Sequence, residues 1–410
     1  MWMTALDRLL TQLMRRGSLG VTYPDGSTKT YGSGRDGPEV AIALLDRSLP
    51  RKIVLSPEMA VGEGYMDGRL TIENDDLHGF LTLAISNIAA QGPPWFRRPI
   101  VLVRHLMRHL QQFNPAPRAR ANVAHHYDLS GELYDLFLDE DRQYSCAYFR
   151  DPGMTLEAAQ AAKKQHIARK LLIQPGMQVL DIGCGWGGMG LTLARDHGAE
   201  VLGVTLSKEQ HAMATARAEM AGLANRCRFE LLDYRKVTGQ FDRIVSVGMF
   251  EHVGVPHYNE FFAHVRDRLT EDGISLIHTI GRAQPPGATS PWITKYIFPG
   301  GYCPALSEVM RAVEHQGLVQ TDIEVWRLHY AETLRHWHDR FMANIERARA
   351  LYDDRFCRMW RYYLIASELT FRLNRQVVFQ LQLTRRQDAV PLTRDYLYTR
   401  NGPADLKAAE

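Results

Sequence analysis

Disulfide and metal-cage signatures are missing from this 410-residue sequence, whose five cysteines (Cys146, Cys184, Cys227, Cys303 and Cys357) are scattered without a CxxC pair. Neither a disulfide framework nor a zinc site is expected; no metal ligand is assigned, and a reducing compartment fits best. Long apolar runs are missing too. The most apolar piece, residues 81–90, is short and interrupted by Ser86 and Asn87, against the roughly 20 apolar residues that a bilayer span requires. No signal-peptide core with a small-residue cleavage site opens the chain, so a soluble, cytoplasmic protein is expected. Charge of one sign is scarce overall: the net charge of +3 is too small to point to nucleic acid as a partner. Internal repeats and low-complexity tracts are lacking as well.

One local absence is informative. Residues 95–120 contain no acid, yet carry Arg97, Arg98, Arg104, Arg108, Arg118 and Arg120. Val103, Leu106, Met107 and Leu110 recur there at helical spacing, and Arg104 and Arg108 stand at i, i+4 on another face, which predicts a basic amphipathic helix. Such a helix can lie on an anionic membrane surface, each Arg contributing about 1 kcal/mol, or it can pack between domains with its basic face solvated. Pro93, Pro94 and Pro99 precede it, and Pro115 and Pro117 follow it. These prolines mark a linker. The expected division is an accessory domain over 1–114 and a catalytic domain over 115–410, since a chain of this length and 45% hydrophobic content can bury more than one core. The turn-rich stretch 23–37 predicts a hairpin in the first part.

From about residue 174 short apolar strands alternate with helices. Strands are predicted over 178–182, 200–205, 227–232, 241–247 and 273–279, with helices over 208–221 and 258–269. That order is the pattern of an α/β fold with a doubly wound, Rossmann-like parallel sheet and a smaller N-terminal accessory domain. Residues 333–384 read as mostly helical.

The first strand of this series runs directly into a glycine-rich turn, Val179-Leu-Asp-Ile-Gly-Cys-Gly-Trp-Gly-Gly188. Gly183, Gly185 and Gly188 match GxGxxG, which lets backbone approach a ligand where a Cβ would clash. The same turn serves dinucleotides and tight strand-to-helix packing. Asp181, immediately before it, is typical of S-adenosylmethionine-dependent methyltransferases of class I. A dinucleotide site would place an acid at the end of the second strand, and here that strand ends in Gly203-Val-Thr-Leu206. Thr205 and Gln210 must then supply the polar contacts, and Asp233 and Tyr234 stand after the third strand, where an adenine ring is usually gripped.

From about His125 to Tyr398 the chain resembles the cyclopropane fatty acid synthases and the related mycolic acid cyclopropane synthases. HHYDLSGELYDLFLD, YSCAYF, AAQAAKKQHIARKL, VLDIGCGWGG, GVTLSKEQ, SVGMFEHVG, IHTIGR, YIFPGGYCP and LHYAETLRHW occur in order. The resemblance implies transfer of a methylene from S-adenosylmethionine to the cis double bond of an unsaturated phospholipid acyl chain, by a homodimer associated peripherally with the inner membrane. It implies that Tyr144 and Ser145 close over the cofactor, with Asp181, Gly183, Gly185, Thr205, Gln210, Asp233 and Tyr234 completing its site. It also implies a bound bicarbonate ion held by Cys146, Glu251, His278, Ile280 and Tyr330.

The chemistry explains the residue types. An isolated double bond is a poor nucleophile, so the cofactor must drive the attack, and a base must then reach the new methyl group while water is kept from the cation. His278, Tyr330 and the amides of Cys146 and Ile280 can donate to an oxyanion, and Glu251 can accept its proton or orient it. Tyr144, Phe149, Tyr302 and Tyr330 can face a cation without offering it a lone pair. Taken singly, Cys146 also reads as a small buried hydrophobe and His278 as a structural strand-end group. Methyl transfer without ring closure and a non-catalytic lipid-binding protein of the same fold are the alternatives.

Overall fold

A computed structural model describes residues 1–91, Gln112 and 131–398. The expected basic helix with Arg97, Arg98, Arg104 and Arg108 lies outside the described residues, as does the start of the HHYDLSG segment. Compactness divides the chain differently from a single cut after residue 114. One unit comprises Met1–Arg108, Ala288–Pro299 and Ala331–Gln376, and the other His109–Gly287, Gly300–Tyr330 and Val377–Glu410.

The first unit has a small sheet of β1 (Ser18–Thr22), β2 (Thr28–Gly32), β3 (Glu39–Leu44) and β4 (Leu70–Ile72), ordered β2-β1-β3-β4. β1 and β2 form the expected hairpin, and β3 lies parallel to β1. The late segments join this unit for a packing reason: helix Asp354–Leu373 lies against helices Pro57–Met66 and Leu77–Gln91, and helix Pro291–Tyr296 also packs on Pro57–Met66. Gly62 makes that approach possible, since a Cβ there would stand 2.4 Å from Trp292 Nε1.

The second unit is built on a seven-stranded sheet of β5 (Gln178–Ile182), β6 (Glu200–Thr205), β7 (Cys227–Leu231), β8 (Phe241–Val247), β9 (Leu269–Arg282), β10 (Val319–Trp326) and β11 (Gln376–Thr384). Its order is β10-β11-β9-β8-β5-β6-β7. The five strands β5–β9 are mutually parallel, and β10 runs antiparallel to β11. The mostly parallel, doubly wound arrangement expected from the alternation is therefore present. Residues 333–384 are mostly helical, as expected, but the last helix ends at Leu373 and the chain turns back into the sheet as β11.

Strands buried on both faces explain the apolar runs. Val179, Val245, Ile274 and Leu276 belong to one core, and Leu180, Ile182, Ile244 and Ile277 to the other, so successive side chains alternate between the two faces. The chain winds outward through β6 and β7, then crosses to β8 and β9 on the opposite side of β5. That reversal opens a crevice at the carboxyl ends of β5 and β8, where ligands bind in such sheets. Among the described residues no helix is long and apolar enough to cross a membrane.

Candidate active site

The glycine turn after β5 builds the first half of the site. Gly183 and Gly185 have φ of +79° and +55°, which side chains bearing a Cβ rarely adopt. A Cβ on Gly183 would also stand 2.8 Å from Met249. The turn opens onto a cavity lined by Tyr144, Ser145, Asp181, Gly183, Gly185, Thr205, Gln210, Asp233 and Tyr234. All nine residues expected around the cofactor thus border one space. Arg142, Gln143, Trp186, Arg235, Met249 and His252 border it as well; none was assigned to the cofactor in the sequence, although each lies in or beside a motif that was singled out.

Asp181 is buried, and burial raises its carboxyl to about 7, although the Gly190 amide opposes the shift. Its Oδ2 has no partner among the described residues, so a carboxylate oxygen stands ready for a cationic or N–H-bearing ligand. Thr205 Oγ1 donates to Gln210 Oε1 at 2.9 Å, which commits the amide oxygen and leaves the NH₂ end for the cavity. Asp233 is clamped by Arg235, whose Nε and Nη2 donate at 2.9 and 2.7 Å. Tyr144 sits edge-on to Tyr134 at 5.4 Å, and Tyr134 in turn meets Trp186 at 5.0 Å, giving the cavity an aromatic wall.

Helix Leu156–Lys170 holds the 143–146 strap in place. Lys163, fully buried, donates from Nζ to Gln143 Oε1 and Ser145 Oγ, both at 2.7 Å, and Gln160 Nε2 donates to the Ser145 carbonyl at 2.9 Å. Burial pulls the Lys163 ammonium down to about 8. Neither residue was given a role in the sequence, where AAQAAKKQHIARKL entered only as part of the resemblance.

The second half of the site forms where β8 and β9 end. Gly248 N donates to the His278 carbonyl at 2.9 Å, tying the two strand ends together. The short helical turn Phe250–His252 then places Glu251 so that its Oε1 accepts from the Ile280 amide at 2.6 Å. The Ile280 N–H therefore faces Glu251, where the sequence reading aimed it at an oxyanion. Glu251 Oε2 is buried without a partner among the described residues, and burial raises this carboxyl to about 7. His278 and Ile280, two apart on β9, share a face.

His278 is buried and its ring is pushed well below its ordinary value, first by burial and then by Lys163 and Lys170. Cys146 is buried beside the strap, its thiol donating to the Ala147 carbonyl at 3.3 Å. Lys163 feels both Cys146 and His278 electrostatically, so these two residues approach the same buried cation. Tyr330 is buried next to His329, whose Nδ1 accepts from the Phe149 amide at 3.1 Å at the far end of the strap. Glu251 and Ile280 are in direct contact, His278 stands two residues from Ile280 on β9, Cys146 and His278 both feel Lys163, and Tyr330 follows His329, which meets the end of the strap. Of the aromatics considered for the cation wall, Tyr302 is committed elsewhere: its hydroxyl donates to Glu308 at 2.7 Å and Arg282 lies over its ring at 5.6 Å.

Comparison with known proteins finds relatives over most of the chain. A family model described as mycolic acid cyclopropane synthetase matches residues 115–381, and a domain of unknown function matches residues 5–89. The chain is 38% identical over 335 residues to the cyclopropane-fatty-acyl-phospholipid synthase of Escherichia coli K12, covering 82% of this chain and 85% of that one. It is 36% identical over 395 residues to the tuberculostearic acid methyltransferase UfaA1 of Mycobacterium tuberculosis, covering 92% and 90%. Among solved structures, mycolic acid cyclopropane synthase CmaA1 complexed with SAH and CTAB superposes with a TM-score of 0.62 at 34% identity, covering 66% of this chain and 99% of that one.

Proposed function

The chain belongs to the mycolic acid cyclopropane synthetase family of S-adenosylmethionine-dependent methyltransferases, and from that premise we propose that it closes cyclopropane rings on unsaturated phospholipid acyl chains. The observation that carries this reading is Glu251: a buried carboxyl raised to about 7, one oxygen held by the Ile280 amide and the other without a partner, at the strand ends beside the cofactor cavity. Ring closure requires such a proton acceptor within reach of the transferred carbon.

S-adenosylmethionine, when bound, supplies an electrophilic methyl group to the double bond. Asp181 Oδ2 fits its ammonium end, Gln210 its polar groups, and Asp233 with Tyr234 its adenine. The π electrons would form the first new carbon–carbon bond to that methyl group, with the former sulfur–carbon pair staying on sulfur. A cation is left on the acyl chain, and the aromatic wall with Tyr144 excludes water from it. Loss of one proton from the new methyl group then gives its electron pair to the cation and closes the ring.

A bicarbonate ion beside Glu251 would supply the oxygen that takes this proton. The His278 ring and the Tyr330 hydroxyl would donate to such an ion, the Cys146 amide would add a third donor, and Glu251 would relay the proton onward. Glu251 itself anchors through Ile280, so its free oxygen is the one that serves.

The fold's remaining expectations extend this reading. A homodimer sitting peripherally on an anionic membrane surface, cytoplasmic and docked through the accessory part with Arg97, Arg98, Arg104 and Arg108, would bring the acyl chain within reach. Incubation of the protein with S-adenosylmethionine and cis-unsaturated phospholipid vesicles tests the proposal. Acyl chains heavier by one CH₂ and bearing upfield ring-methylene proton signals are expected. Branched or unmodified chains would overturn it. The methyl-branching alternative is kept because relatives of this identity include one named as a methyltransferase.

A further inference from the structure

β11 carries a buried polar stripe. Val377, Phe379, Leu381 and Leu383 belong to one core of the sheet, so Gln380 and Gln382 turn to the opposite face. Both are wholly inaccessible to solvent. Gln382 has an evident structural task, since its Nε2 donates to the Lys170 carbonyl at the end of helix Leu156–Lys170. Gln380 does not. Its Nε2 lies 3.1 Å from His278 Nδ1, and its Oε1 is buried without a partner among the described residues. An orphaned amide oxygen is destabilising in such a place, where a leucine would pack at no such cost.

We propose that Gln380 is a positioning residue: its amide N–H donates to His278 Nδ1 and so fixes the imidazole as the Nε2–H tautomer, a dedicated donor to the oxyanion. A neutral imidazole has one donor and one acceptor nitrogen, and a donor placed at Nδ1 decides which is which. Two further contacts hold the ring in that role. Trp326 stands edge-on to it at 5.1 Å and 86°, which sets the ring plane. The buried cations Lys163 and Lys170 oppose a second proton on the ring, and the acid Glu324 only partly offsets them. The orphan oxygen is then the cost of a donor at this point in the sheet. Without Gln380 either nitrogen could carry the proton, and any molecules with Nε2 bare would repel an anion.

The inference rests on the ring-closing reading for its purpose, but its test does not. The full-length protein, labelled with ¹⁵N-histidine, gives His278 signals that are assigned by their loss in His278→Asn. Long-range ¹⁵N–¹H spectra are expected to show Nε2 protonated and Nδ1 bare in the parent protein, and an averaged pattern in Gln380→Met. In the vesicle assay Gln380→Met is expected to lower kcat about tenfold while leaving KM for S-adenosylmethionine within about twofold. A parent spectrum with the proton on Nδ1 overturns the proposal even if the variant fails to fold. So does a folded Gln380→Met that keeps both the parent tautomer and the parent kcat. An Nε2–H tautomer that is lost in Gln380→Met, in a protein that makes no ring product, supports the positioning role and removes the ring-closing reading instead.

Discussion

Replacing Glu251 by Gln separates the site's chemistry from its architecture. The substitution keeps the shape and keeps an oxygen that can accept from the Ile280 amide, so the local bond of 2.6 Å survives. What is lost is a group that can take a proton. Burial holds the Glu251 carboxyl at about 7 against an ordinary 4.5; at about 1.4 kcal/mol per unit this amounts to roughly 3 kcal/mol. The sign follows from proton uptake. Between these two values the folded protein keeps a proton that the unfolded chain releases, so stability falls as pH rises through the window, and the loss is complete above about pH 7.

Glu251→Gln removes that loss. The variant should resist denaturant better than the parent by roughly 1–3 kcal/mol at about pH 8, and the gap should close near about pH 4.5. Turnover should fall at least tenfold, about 1.4 kcal/mol in the barrier, because the acceptor is gone. Cofactor affinity, read by calorimetry, should stay within a few fold, since Glu251 does not line the cofactor cavity. Unchanged turnover would refute the reasoning, and so would equal stability of the two proteins at about pH 8.

The parent enzyme's kcat should decline as pH drops below about 7, following protonation of Glu251; a flat profile from about pH 6 to 8 would count against its role. Lys163→Met removes both 2.7 Å bonds that hold Gln143 and Ser145, and calorimetry should show S-adenosylmethionine bound at least about tenfold more weakly, at about 1 kcal/mol or more per lost charged hydrogen bond. Gly183→Ala combines a φ of +79° with a 2.8 Å approach to Met249, and should cost about 1–3 kcal/mol of stability and most of the cofactor affinity. Changing Arg97, Arg98, Arg104 and Arg108 together to Ala should weaken sedimentation with anionic vesicles by several kcal/mol, at about 1 kcal/mol per residue; undiminished binding would assign that segment to packing.

The parallel strands were legible because each is a short apolar run, buried on both faces and bounded by turn residues. β11 was not read as a strand although its signal was present: Phe379-Gln-Leu-Gln-Leu383 alternates strictly, but it follows a long helical pattern without a proline to break it. The discontinuous first unit had no local signal, since helix Asp354–Leu373 looks like any amphipathic helix and only tertiary packing decides which sheet it accompanies.

The cofactor residues cluster near the glycine turn and the strand ends, where fold-level rules point. The proposed second half of the site draws on residues 146, 251, 278, 280 and 330, and no spacing in the chain connects them; only resemblance named them together. Lys163 and Gln380 escaped because their residue types alone give no sign of burial. Burial, which the linear pattern does not carry, is what turns them into parts of the site.

The central claim is that a proton leaves the transferred carbon before the product is released. S-adenosylmethionine carrying a trideuterated methyl group tests it in one measurement on the acyl chains of treated vesicles. Ring closure predicts products that retain two of the three deuterons, with none on a methyl branch. Products that keep all three would contradict the account and make the protein a methyl-branching enzyme.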